Sequence, residues 1–312
     1  MEVRTAPEVD RTKVRRGLWK LADPKISITS AVAMLVGTAV AVHDGHFAPG
    51  WLAVLAFALF CMEVAKNAWG EVVDFDSGTD LAVADADRTG FSGGKRVMVD
   101  GLLSRAQTWM IAAAFGGAGV ALGAVIVLGR EPDVLWLGVL GLVLGWSYHG
   151  PPLRLCYRGL GELDVVLCYG PLMVLSTYWI QARQSSVAAI WVAVPLGLLI
   201  AAFLWVNEFP DYRADLGAGK RNLVVRLGQR RASRVLPWIH AAGYAVLALV
   251  PSATGLPLAV WAGFAALPLS FFACWHTWRE PTDFYRSHPV QQASLLAFVA
   301  YALGSALGIL YG

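Results

Sequence analysis

A chain of 312 residues that is 57% hydrophobic and only 15% charged falls well short of the roughly one-quarter charged residues of a soluble domain, which excludes a protein surrounded by water. The net charge of +3 sets no strong electrostatic preference, and no nucleic-acid partner is expected. The four cysteines, Cys61, Cys156, Cys168 and Cys274, are scattered through apolar sequence without a C-x-x-C pair, which excludes a disulfide framework and a zinc site.

Residues 1–25 are polar and basic and read as a cytosolic N-terminal tail. Its run Arg11-Thr-Lys13-Val-Arg15-Arg16 suits contact with an anionic leaflet, and no cleavable signal peptide is expected. Nine apolar spans follow, over 26–43, 51–73, 105–129, 133–149, 164–181, 187–206, 232–253, 256–278 and 290–311. Each is near the ~20 residues that cross a bilayer as a helix. The runs are continuously apolar, whereas barrel strands alternate in segments of about ten residues. The expected fold class is an all-α membrane protein of about nine transmembrane helices, with the lipid bilayer as solvent.

Numbering the loops alternately places 23 of the 25 Lys and Arg residues on one side, leaving Arg130 and Arg183 on the other. The positive-inside rule then predicts a multi-pass protein of the cell (inner) membrane, with a cytoplasmic N-terminus and the C-terminus outside. The two long loops, 74–104 and 207–231, both fall on the cytosolic side. Each follows an even-numbered helix, which hints at a duplicated plan of helix, polar loop, helix.

Those loops begin with acidic clusters. The first contains Asn67, Glu71, Asp74, Asp76 and Asp80; the second contains Asn207, Glu208, Asp211 and Asp215. Spacings of four and three put Asn67, Glu71 and Asp74 on one helix face, and spacings of four do the same for Asn207, Asp211 and Asp215. Pro210 is expected to kink that helix or start a new turn. Mg²⁺ takes oxygen ligands, keeps several waters, and binds one or two carboxylates together with substrate phosphates. Two acidic helix ends facing each other suit two such ions with a diphosphate between them. Lys95, Arg96, Arg213, Lys220 and Arg221 lie close by in sequence and suit neutralisation of phosphate charge. Gly93-Gly94, Gly217 and Gly219 allow backbone N–H groups to approach phosphate oxygens.

Segment 146–171, with Tyr148, His149, Pro151-Pro152, Arg154, Arg158 and Glu162, reads as a rigid cytosolic turn. Arg154 and Arg158 suit either phosphate binding or the anionic leaflet, and an interfacial role is favoured for His149 and Glu162 over a base. Asp85, Asp87 and Asp100 are expected to be solvated loop charges. Glu63 and Lys66 are expected to pair with each other at the interface. His240 and His276 are read as structural.

Taken together, these residues resemble the UbiA superfamily of membrane prenyltransferases over most of the chain. The likeness is carried by Asp74 through Asp80, Gly93-Gly94-Lys95-Arg96-Val97, Pro151-Pro152-Leu153-Arg154, Tyr157-Arg158-Gly159-Leu160-Gly161-Glu162, Asn207 through Asp215, Gly219 through Leu223, and Val225 through Gly228. Within the superfamily the sequence is most similar to the branch that prenylates dihydroxynaphthoate for menaquinone. The resemblance implies one domain over 26–312, a bundle around a central cavity, and cytosolic loops capping it. It implies Mg²⁺ ligation by Asn67, Glu71, Asp74, Asp80, Asn207, Asp211 and Asp215, with Lys220 and Arg221 as basic partners. Asp74, Asp211, Lys220 and Arg221 are the expected catalytic residues; Asn67, Lys95, Arg96, Tyr148, Arg154, Arg158, Asn207 and Arg213 are expected to bind substrate. One motif departs from the pattern: Gly70-Glu71 precede Asp74 where the family usually shows Asn-Asp.

The implied reaction is Mg²⁺-dependent transfer of a prenyl group from an allylic prenyl diphosphate to an aromatic small-molecule acceptor within the membrane. Two alternatives use the same features differently. A membrane terpene cyclase would let the substrate's own double bond attack. An ion-coupled transporter would need carboxylates at the midplane, whereas these cluster at helix ends.

Overall fold

The computed structural model describes residues 10–84, 87–283 and 289–312, and every regular element among them is a helix. Eight helical segments are long and apolar enough to cross a membrane, and a shorter apolar helix, Val134–His149, adds a ninth. The chain is a multi-pass all-α membrane protein. The expected spans coincide with these helices, with two differences at the polar ends that matter for the site.

The first difference is at the N-terminus. The expected tail is, from residue 11, a helix, α1 (Arg11–Ala22). Asp10 caps it by accepting from the N–H groups of Thr12 at 3.0 Å and Lys13 at 3.3 Å. Its Leu21 is buried with Val64, Ala68 and Val72 in one apolar cluster, which holds α1 against the bundle. Asp23 adopts a left-handed conformation (φ 40°) that ends α1, and Pro24 opens α2 (Pro24–His43) at the position where a missing N–H costs nothing.

The second difference is helix length. α3 (Pro49–Asp76) has 28 residues, or about 42 Å at 1.5 Å per residue, against a hydrocarbon core of about 30 Å. α3 therefore carries its first acidic set out of the apolar layer on a rigid helix. A short α4 (Thr79–Ala82), irregular chain, and α5 (Arg105–Gly129) follow, with a reciprocal Ser104–Gln107 cap at the start of α5. Next come α6 (Val134–His149) and α7 (Gly161–Ala182), the latter with one widened turn over Cys168–Leu172 around Pro171.

α8 (Val187–Gly217) has 31 residues and runs through both Pro195 and Pro210. The helix continues through Pro210 and does not start a new turn there. Trp205, Val206 and Phe209 are buried around it, and Trp205 donates its indole N–H to the Ala232 carbonyl at 3.1 Å. Packing on both sides of the proline outweighs the roughly 3 kcal/mol that proline costs inside a helix. α9 (Leu223–Leu227), α10 (Gln229–Thr254), α11 (Leu258–Arg279) and α12 (Val290–Tyr311) complete the chain.

The main core joins α2, α7, α8, α10, α11 and α12 through buried residues such as Leu196, Leu199, Leu247, Phe298 and Tyr301. Helices approach closely where side chains are absent. A Cβ on Gly170 would lie 2.7 Å from the Ala193 carbonyl, and one on Gly197 would lie 2.6 Å from that of Val166. Small residues at crossings are how membrane helices gain packing without a hydrophobic driving force. α5 and α6 sit outside this core and expose Met110, Leu128, Trp136 and Val143, an apolar surface suited to lipid.

Candidate active site

The ends of α3 and α8, the chain after α4, and the α1–α2 junction enclose one cavity of about 730 Å³. From the expected site residues it brings together Asn67, Glu71, Asp74, Asp80, Lys95, Tyr148, Asp211, Asp215 and Lys220. Because α8 continues through Pro210, Asp211 and Asp215 stay one turn apart on a single face. α6 is aligned on α3 by aromatic stacking, with Trp69 and Trp146 rings 4.1 Å apart and nearly parallel. This alignment sets Tyr148 and His149 opposite Lys66, Gly70 and Asp74.

Each carboxylate has a distinct environment. Asp74 Oδ1 lies 3.6 Å from His149 Nδ1, too far for a hydrogen bond, and neither atom has another partner. Asp215 accepts from Asn222 Nδ2 at 2.8 Å, and its Oδ1 lies 3.4 Å from Lys220 Nζ. Asp211 Oδ1 is buried without a hydrogen bond. Glu71 is 4% exposed, and its Oε1 accepts from the Met98 N–H at 2.9 Å. Asn67 donates its amide to the Leu21 carbonyl at 2.8 Å. Asp80 is buried against Gly94, whose φ of +74° admits the approach; a Cβ there would sit 2.1 Å from Asp80 Oδ1.

Burial, followed by the Asp74 and Glu71 charges, pushes the Asp80 carboxyl up to about 8. Burial also pulls the Lys95 ammonium down, against the opposing pull of Asp23. For Lys220, burial acts downward, but Asp215 and Asp74 outweigh it and hold the ammonium well above its ordinary value.

The other expected substrate residues, and Arg221 from the expected catalytic set, lie outside the cavity lining. Arg96 donates to the Asp80 carbonyl at 2.7 Å and pairs with Asp100 at 3.5 Å. Its charge is thus spent on shaping the loop. Asn207 accepts from Gln291 of α12 at 2.9 Å, which ties two helices together. Arg154 lies over the Tyr157 ring, and Arg158 donates to the Pro152 carbonyl at 3.0 Å. Arg213 and Arg221 are exposed, and Arg221 reaches the 155–157 turn only through its backbone N–H, bonded to the Tyr157 carbonyl. Arg154, Arg158 and Arg221 follow the chain into exposed turns, and Arg213 lies on the exposed face of α8, because proximity in sequence does not fix direction.

Three expectations about bystanders also change. Glu63 does not pair with Lys66; its carboxylate accepts from Ser27 and Ser30 of α2, and Lys66 faces the cavity instead. Asp87 is buried rather than solvated, whereas Asp100 stays exposed, as expected, and pairs with Lys20 at 2.8 Å; Asp85 lies outside the described residues. His149, read as interfacial, lies beside Asp74. Sequence reasoning missed Asp23, whose carboxylate pairs with Lys95, and the contributions of Trp19, Lys20 and Lys25. The Asp-Pro junction at 23–24 was the available signal, since Asp before Pro marks a turn that caps the next helix.

The donor set fits Mg²⁺. It consists of hard carboxylate oxygens, of which Asp74 Oδ1 and Asp211 Oδ1 are buried acceptors without hydrogen bonds. Such atoms are costly unless a cation or donor arrives. Among the described residues, no three carboxylate, imidazole or thiol groups already close on one point. That suits an ion that keeps waters and takes phosphate oxygens rather than one caged by protein.

Residues 30–301 match the model of the UbiA prenyltransferase family. The 1,4-dihydroxy-2-naphthoate octaprenyltransferase of Bacillus subtilis is 27% identical over 245 residues, covering 78% of this chain and 75% of that protein. The 2-carboxy-1,4-naphthoquinone phytyltransferase of Synechocystis is 30% identical over 238 residues, covering 75% and 74%. Among solved structures, a UbiA homolog from Aeropyrum pernix superposes with a TM-score of 0.68 at 20% identity, covering 91% of this chain and 96% of that one. A UbiA homolog from Archaeoglobus fulgidus bound to GPP and Mg²⁺ gives 0.59 at 18% identity, covering 93% and 99%. A family match over most of the chain, relatives along three quarters of it, and a shared bundle agree with the motifs read from the sequence: the chain belongs to the UbiA prenyltransferase family.

Proposed function

We propose that this protein transfers a prenyl group from an allylic prenyl diphosphate to an aromatic acceptor of the naphthoate type, in a Mg²⁺-dependent reaction. The observation that carries this reading is one cavity lined by carboxylates from two helices, Asp74 of α3 and Asp211 and Asp215 of α8, with Asp80 and Lys220 beside them. Prenyl transfer is also what the family and the named relatives do, and the A. fulgidus homolog was solved with a prenyl diphosphate and Mg²⁺.

In this reading Asp74, Asp80, Asp211 and Asp215 hold the metal, with Asn67 and Glu71 at its edge. Mg²⁺ held by these residues would supply the positive charge that makes the diphosphate a better leaving group. Lys220 and Lys95 take up the remaining phosphate charge. The allylic C–O bond breaks, and its electron pair leaves with the diphosphate. Phe91, Tyr148 and Ile26 line the cavity and keep water from the allylic cation, while ring faces stabilise its charge. A ring carbon of the acceptor then supplies the electron pair of the new C–C bond, and the ring loses a proton, or CO₂ where it bears a carboxylate. Asn207, Arg96 and Arg221 act by positioning α12, the Asp80 loop and the 155–157 turn. The long prenyl tail extends between helices into lipid. The site opens to the cytosolic face of the inner membrane, the side on which 23 of the 25 Lys and Arg residues fall.

Incubating purified protein with Mg²⁺ and labelled prenyl diphosphates, with and without hydroxynaphthoate acceptors, tests this. Prenylated acceptor is the expected product. A cyclised hydrocarbon formed without acceptor would assign the site to a terpene cyclase. Absence of any Mg²⁺-dependent consumption of prenyl diphosphate would refute both.

A further inference from the structure

Lys66, Gly70 and Asp74 follow each other at intervals of four on α3 and share one face. Eight residues of helix correspond to about 12 Å, so Lys66 is rooted two turns deeper in the bundle than Asp74. Its ammonium lies 5.1 Å from the centre of the Tyr148 ring, and both residues line the cavity. Among the described residues no ion pair includes Lys66. Glu63, one turn away, is held by Ser27 and Ser30.

Asp164 of α7 and Asp74 are the carboxylates that feel its charge, but neither is in contact with it, and a cation on an apolar membrane helix without a contacting counter-charge is costly and usually marks function. The ring face offsets part of that cost, and an incoming anion would offset the rest. The diphosphate is an unsuitable candidate for that anion. It belongs with the carboxylates at the outer ends of α3 and α8, where Lys95 and Lys220 already stand. The anion that reaches the deeper layer is the one carried by the second substrate, and the Tyr148 ring beside Lys66 favours a flat aromatic body.

We propose that Lys66, seated on the Tyr148 ring, docks the carboxylate of an aromatic acid acceptor and so selects acidic over neutral aromatic acceptors. This rests on the prenyl-transfer reading above and adds the residue that recognises the acceptor.

The test is equilibrium binding to the full-length protein in lipid nanodiscs, using 1-hydroxy-2-naphthoate and its neutral twin 1-naphthol. Wild type is expected to bind the acid about ten- to a hundred-fold more tightly, the worth of one charge-assisted contact. Lys66→Met should erase that difference, Lys66→Arg should keep most of it, and geranyl diphosphate binding should change less than about two-fold in both. Equal wild-type binding of the two naphthalenes would overturn the proposal. So would an unaffected Lys66→Met, or one that loses geranyl diphosphate instead of the acid. Buried Asp164 on α7, whose Oδ1 makes no hydrogen bond, is the rival partner for the Lys66 charge. If Lys66→Met unfolds the protein, Lys66→Met with Asp164→Asn supplies a folded background without either charge: equal binding of the two naphthalenes there supports the proposal, and a retained preference for the acid overturns it. A wild type that binds the acid through Lys66 but never prenylates it would refute the prenyl-transfer reading and leave the docking site standing.

Discussion

Gly94→Ala isolates the contribution of Asp80. The ideal Cβ would lie 2.1 Å from Asp80 Oδ1 and 2.6 Å from its Cγ, where real Cβ contacts do not fall below 3.0 Å. The Asp80 carboxylate must therefore retreat by at least about 0.9 Å, and a misplacement of about 1 Å is enough to cost some 10²-fold in rate. A second cost is the left-handed backbone at φ +74°, worth about 1–2 kcal/mol for alanine. Gly101→Ala separates the two, because Gly101 has φ +63° and nothing within 4 Å of its Cβ position. Both variants should lose a similar, small amount of thermal stability. Only Gly94→Ala should slow prenyl transfer, by ~10²–10³, with a raised Mg²⁺ midpoint. Rates would be measured against Mg²⁺ concentration with saturating prenyl diphosphate. Equal turnover in the two variants would show that Asp80 takes no part in the reaction.

Asp74→Ala and Asp211→Ala should each lose turnover by ~10² or more while folding normally by circular dichroism, since neither removes apolar packing; full activity in either would remove that carboxylate from the site. Glu71→Gln keeps the arm that accepts from Met98 N–H but drops the charge, so it should raise the Mg²⁺ midpoint. Glu71→Asp draws back from that N–H and should cost about 1–3 kcal/mol of stability; an unchanged midpoint in folded Glu71→Gln would assign Glu71 to holding the loop alone. Asp80 has a folded-state pKa of about 8, above its ordinary value. Its folded form therefore holds a proton the unfolded chain has released, and metal-free stability should fall as pH rises from about 4 to about 8. Asp80→Asn should flatten that slope in chelator, and a thermal-melt series showing identical slopes would contradict it. Cysteines placed in loops 74–104 and 207–231 should react with impermeant reagents only from the cytosolic side; labelling from outside would overturn the orientation.

The bundle was legible because its driving pattern is local. Nine apolar runs of the right length have to become helices in lipid, where unpaired backbone groups cannot be tolerated. The acidic faces were legible for the same reason: spacings of three and four hold along any continuous helix, and α3 and α8 are continuous to Asp76 and Gly217. Asp74, Asp211 and Asp215, placed on shared faces by their spacing, therefore stand together in one cavity of the kind the family resemblance implied.

Direction across the bundle was not legible. Lys66 and Glu63 are one turn apart, and neighbouring opposite charges invite a pairing. Only the packing of α2 and α6 on either side of α3 sends Glu63 to Ser27 and Ser30, and Lys66 to Tyr148. Arg154, Arg158 and Arg221 are near the site in sequence, but loop geometry points them elsewhere, and Arg213 lies on the exposed face of α8. Pro210 carries a local signal to kink the helix or start a new turn, and α8 continues through it where Trp205, Val206 and Phe209 are buried. The sequence by itself determined which helices form and which of their faces carry charge, because both follow from contacts within a few residues. Which charged faces meet, and which cation faces the cavity with no ion pair among the described residues, was decided by tertiary packing, because helices far apart in the chain supply or withhold the counter-charges.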